Sequence, residues 1–123
     1  MLTPALLVFL GGGAGSVLRY AVGRLAVQAG GGAFPWGTLA VNLLGSFAAG
    51  LLIGWLGGRS SSAGAQLLLM TGFLGGFTTF SAFSIDTIAL AERSVAIAMA
   101  YVAATLITGL AAAWVGLVLT RSA

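Results

Sequence analysis

The sequence predicts an all-α integral membrane protein of four transmembrane helices, the third broken near its middle, and three observations predict it. Hydrophobic residues make up 59% of the chain and charged residues 6%, with a mean hydropathy of +1.11, a balance that belongs to the membrane class. The charges stand only at Arg19, Arg24, Arg59, Asp86, Glu92, Arg93 and Arg121, leaving apolar stretches long enough to cross a hydrocarbon layer roughly 30 Å thick. Within the third stretch, the run from Gly72 to Ser84 sets helix-weakening glycines, the hydroxyls of Thr78, Thr79, Ser81 and Ser84, and the rings of Phe80 and Phe83 at membrane depth. Backbone loosened there is tolerated only where it is buried in protein or lines a cavity, because its freed amides and carbonyls need partners.

Residues 1–123 are expected to form one four-helix membrane domain, with spans at about 4–24, 36–56, 65–91 and 95–120. The first starts at Pro4; with no basic segment before it and an apolar run that continues to Arg19, it reads as a mature helix rather than a cleaved signal peptide. The connections have loop chemistry: Gly30 to Pro35 after the first span, Gly57 to Ser62 after the second, Glu92-Arg93-Ser94 after the third. Trp36, Trp55 and Trp114 fall near span ends, where an amphipathic ring suits the headgroup level.

The absence of cysteine and histidine removes disulfides, thiolate chemistry and the commonest metal ligand and proton shuttle. A net charge of +3 spread over the ends of apolar spans forms no track for a phosphate backbone, which argues against nucleic acid. Four spans put Arg59 and Arg121 on one side and Arg19, Arg24 and Arg93 on the other. A balance so nearly even gives the positive-inside rule little to act on, so insertion in both orientations is expected. A bundle this small cannot enclose a wide path alone. Two copies meeting about an axis in the membrane plane would supply the inverted symmetry that larger transporters carry internally.

The candidate residues follow from what lipid tolerates. Gly11 to Gly15, Gly45, Gly50 and Gly109 suit close helix packing. Gly75 and Gly76, just ahead of Thr78 and Thr79, would loosen the third span instead, exposing carbonyls at Gly75 and Thr78 that can bind a hard cation. Phe80 and Phe83 share a helix face, with Ser84 one turn beyond Phe80; ring edges and hydroxyls can both greet a small anion. Asn42 is the one amide side chain deep in a span, fit for gluing helices or for facing a solute. Tyr101, Thr105 and Thr108 make a polar stripe on the fourth span. Arg19 either snorkels to the headgroups or gathers anions at a mouth. Asp86 and Glu92, near the end of the third span, are expected to be interfacial or paired with Arg93, and no nucleophile and base accompany them, so no enzyme is expected.

Gly12 to Tyr20 ending in Arg19-Tyr20, Gly37 to Phe47 around Asn42, and Gly72 to Phe83 together resemble the Fluc (CrcB) fluoride channel family, in order and over essentially the whole chain. The resemblance implies a channel that passively exports cytoplasmic fluoride. It implies an antiparallel, dual-topology homodimer in the cell (inner or plasma) membrane, with two pores and a structural sodium ion at its centre. It assigns sodium to the backbone carbonyls of Gly75 and Thr78, pore lining to Asn42, Phe80 and Phe83, and a vestibule position to Arg19. Thr79, Ser81, Ser84, Tyr101, Thr105 and Thr108 are added here as a polar track. Ala82 stands where many members carry threonine. The main rival is a small four-span proton-coupled exporter of cationic drugs, which needs a membrane-embedded carboxylate that the first two spans lack. A packing subunit of a larger complex would explain the glycines but not the polar face around Phe80.

Overall fold

The computed structural model describes residues 2–57 and 63–121, and over these the chain is helical with short connections. Helix α1 spans Leu2–Gln28 and α2 spans Trp36–Gly57. The third crossing is assembled from α3 (Ala63–Gln66), a π-helical stretch (Leu67–Leu74), α4 (Gly75–Phe77) and α5 (Phe80–Arg93); α6 (Val95–Arg121) completes the bundle. Each crossing is apolar and long enough to span a bilayer, as the sequence predicts. Observed helices outrun the expected first and third spans at both ends, because helical backbone continues into the polar headgroup zone beyond the apolar core.

Connections are set by a few residues. At the end of α1, Gly30 takes φ +83°, its amide bonding Val27 O and the Gly31 amide bonding Ala26 O, the paired bonds by which a left-handed glycine closes a helix. The connection expected at Glu92-Arg93-Ser94 shrinks to Ser94, since Glu92 and Arg93 remain in α5. Extended backbone at Ser94 turns the chain; its amide bonds Leu90 O, and its hydroxyl and carbonyl accept from Ile97 and Ala98. The expected connection through Arg59, with residues 58–62, lies outside the described residues.

Glycines govern the packing. Gly50 of α2 meets the backbone of Ala113 on α6, and Gly116 of α6 meets Phe47 and Leu51 of α2, so any side chain at either would strike backbone. Gly11 and Gly15 seat α1 against the backbone of Leu68 and Phe73 in the π-helical stretch, and Gly76 sits against the Gly12 carbonyl. Gly76 is therefore a packing glycine as much as a loosening one. Gly109, expected to pack closely, has only Ser46 Oγ at ordinary contact distance, and Gly13 faces open space. At the other end of the bundle Phe83, Leu90, Ala98 and Tyr101 form a buried cluster flanked by Phe34 and Leu39.

Candidate functional site

The third crossing breaks at Thr78 and Thr79, which are extended (φ −86°, ψ 158° and φ −150°, ψ 120°). The glycines just before them stay helical. In an unbroken helix the amide of Thr79 would bond the Gly75 carbonyl and that of Phe80 the Gly76 carbonyl. Both partnerships are lost, and side chains from two other helices take over. Asn42 of α2 clamps Thr79 from both sides: its Oδ1 accepts from the Thr79 amide at 2.8 Å and its Nδ2 donates to the Thr79 carbonyl at 2.9 Å. From α1, Arg19 Nε donates to the Gly76 carbonyl at 3.0 Å and the Ser16 hydroxyl reaches it at 3.5 Å. Arg19 thus turns inward to the break instead of snorkelling.

Helix α5 restarts cleanly because Thr79 Oγ1 accepts from the Ala82 amide at 3.1 Å, a side-chain N-cap. That bond withdraws the amide which would have met the Thr78 carbonyl. The carbonyls of Gly75 and Thr78 are consequently released from the helical ladder, while the Thr78 hydroxyl folds back on Leu74 O at 2.9 Å.

Gly75, Thr78, Thr79, Phe80 and Phe83 line a groove of about 520 Å³, together with Asn42 of α2 and Thr105 of α6. The Phe80 and Phe83 rings lie 5.7 Å apart at 53°, Phe80 largely exposed and Phe83 buried. Tyr101 stands behind Phe83, 5.3 Å from its ring, wholly buried. The hydroxyls of Tyr101 and Thr105 are buried without a hydrogen-bond partner of ordinary geometry among the described residues, that of Tyr101 lying toward Thr38 and Asp86 rather than the groove.

Four expected members of the polar track stand apart, one of them Tyr101, packed behind Phe83. Ser84 donates to the Phe80 carbonyl, and Thr108, on the exposed side of α6, donates to the Ala104 carbonyl. Ser81 is exposed and 3.2 Å from Thr79 Oγ1. None of the four lines the groove. Arg19 and Thr79 line a second cavity of about 310 Å³ with Arg24, Tyr20 and Thr38.

Asp86 takes a partner other than Arg93, one of the two expectations for it. It lies within α5 and accepts from the Thr38 hydroxyl at 2.8 Å; among the described residues it forms no ion pair with Arg93, though both line a small cavity of about 80 Å³. Sequence reading passed over Thr38 and Ser16. Thr38 precedes Asn42 by one helical turn and so shares its face, a signal that was there to be used.

An interrupted membrane helix whose released backbone is held by side chains from neighbouring spans, beside a groove of aromatic edges and hydroxyls, defines a small polytopic membrane protein built to handle an ion or small solute. Residues 6–117 match the family described as CrcB-like protein, Camphor Resistance (CrcB). Similar curated proteins include the fluoride-specific ion channels FluC of Rhizobium etli, 52% identical over 96% of both chains, of Agrobacterium fabrum, 48% identical over 94% of both, and of Novosphingobium aromaticivorans, 42% identical over 98% of both. The chain belongs to the CrcB family.

Proposed function

We propose that this protein is a fluoride-selective ion channel that passively exports cytoplasmic fluoride and so protects against its toxicity. The observation that carries the reading is a groove bearing no fixed charge, lined by Asn42, Thr79, Phe80 and Phe83 and by Thr105, whose buried hydroxyl has no partner among the described residues. A small anion that sheds its water needs donors, and hydroxyls and ring edges supply them without a countercharge that would trap it. Near-full-length likeness to proteins named as fluoride-specific channels supports the same conclusion. A channel makes and breaks no covalent bond, so no enzyme activity is assigned.

In this reading two copies assemble antiparallel in the inner (plasma) membrane, giving two pores. The open groove is the surface that a second copy would close. Asn42, Thr79, Phe80, Phe83 and Thr105 carry the anion; Tyr101, behind Phe83, and Ser81, Ser84 and Thr108 belong to the track only through rearrangement or contact with the partner. The Gly75 and Thr78 carbonyls suit a structural sodium ion: both line the groove and both have lost helical donors, and hard cations take oxygen ligands. Two carbonyls from each copy would make four, and sodium there would fix the two breaks against each other. The membrane potential, negative inside, favours exit of a single negative charge by roughly 2.3 kcal/mol per 100 mV. The cation-exporter alternative is not favoured, because Asp86 is engaged by Thr38 and stands off the groove.

Fluoride release from liposomes holding the purified protein, followed with a fluoride electrode under a potassium gradient with valinomycin, tests the proposal beside chloride release from matched vesicles. Fast fluoride efflux with little chloride is expected. Folded protein that passes no fluoride, or passes both ions equally, would overturn it.

A further inference from the structure

Arg19 and Arg24 both line the cavity of about 310 Å³ between α1 and α2, which also takes in Thr79 at the break and Ala82. Their situations differ. Arg19 is half-buried and its Nε–H is committed to the Gly76 carbonyl at 3.0 Å. Arg24, five residues on, is exposed and has no hydrogen bond or ion pair among the described residues. No carboxylate lines this cavity; Asp86, bonded to Thr38, opens with Arg93 onto the separate smaller one.

From this we infer a division of labour that rests on the channel reading: Arg24 is the cation that gathers anions at this mouth, and Arg19 is a positioning residue whose bond to Gly76 holds the break in shape. A rise of 1.5 Å per residue puts Arg24 roughly 7 Å nearer the membrane surface than Arg19. A free guanidinium on the wall of an open cavity raises the local concentration of a monovalent anion about two- to threefold, an effect that salt screens within a Debye length of roughly 10 Å at 0.1 M. Arg19's contribution is geometric. The Gly76 carbonyl lost its helical donor at the break, and a planar guanidinium presents its Nε–H at a fixed angle that an ammonium cannot copy.

The two roles separate by salt dependence. Fluoride efflux from liposomes is measured for the unmodified chain, Arg24→Gln, Arg24→Lys, Arg19→Gln and Arg19→Lys, at an ionic strength of about 10 mM and again at about 500 mM with an impermeant salt. Arg24→Gln is expected to run about two- to threefold slower at low ionic strength, with the deficit fading at high, and Arg24→Lys to match the unmodified chain at both. Both Arg19 variants are expected to be slower by about tenfold or more at either ionic strength, charge retention in Arg19→Lys notwithstanding. The inference is overturned if the Arg24→Gln deficit is absent or independent of salt, or if Arg19→Lys restores the rate. An unmodified chain that passes no fluoride would instead sink the channel reading itself.

Discussion

Asn42 does the work of a missing helical turn. Its carboxamide offers one acceptor oxygen and two donor hydrogens; the oxygen takes the Thr79 amide, one hydrogen serves the Thr79 carbonyl, and the other remains for the groove. The sequence showed that an amide deep in a span had to be satisfied, but left open whether by a helix or by a solute. A residue-level reading cannot name Thr79 as the partner, because the pairing joins positions 37 apart in the chain. Asn42→Ala strands the half-buried amide and carbonyl of Thr79 together, so unfolding in detergent is expected to lose about 1–3 kcal/mol of stability. Asn42→Asp, which keeps the acceptor alone, should fall no lower than Asn42→Ala in the same melt. A variant Asn42→Ala within about 0.5 kcal/mol of the unmodified chain would show that the clamp does not hold the break.

At the scale of elements, the four crossings and the site of the interruption were legible because apolar length and small polar residues are local signals. The π-helical stretch Leu67–Leu74 was not. Its residues are ordinary apolar ones, and the wider turn is seen where Gly11 and Gly15 bring α1 against its backbone, a contact between distant segments. Nor does a glycine's residue type reveal its duty. Gly13 and Gly15 share one helix, yet a methyl at Gly13 meets nothing while one at Gly15 meets Phe73 and Phe77 backbone. Gly13→Ala is accordingly expected to be neutral or stabilising by up to about 1 kcal/mol, and Gly15→Ala to cost about 1–3 kcal/mol through overpacking. Parallel thermal unfolding of the two variants checks the contrast; equal effects would contradict the close approach of α1.

Over the whole molecule, a single chain presents a groove open along one side, lined by Gly75 and Thr78 and by an exposed Phe80, which in the proposed channel is half of a pathway. The near-even distribution of arginines, two against three, is the basis for proposing that one sequence inserts both ways and so supplies the other half. That balance is readable from the sequence; what faces the groove is not, because an apolar surface that meets a second copy would leave no pattern distinct from lipid-facing residues. The measurement that tests this most directly is fluoride flux from variants locked in opposite orientations, one by arginines appended after Ala123, the other by Ala33→Arg combined with Arg121→Gln, with reporter fusions fixing the orientation of each. Each variant alone is expected to pass little fluoride, and the two expressed together to recover the rate of the unmodified chain. Full fluoride flux from either locked variant alone would contradict the antiparallel channel.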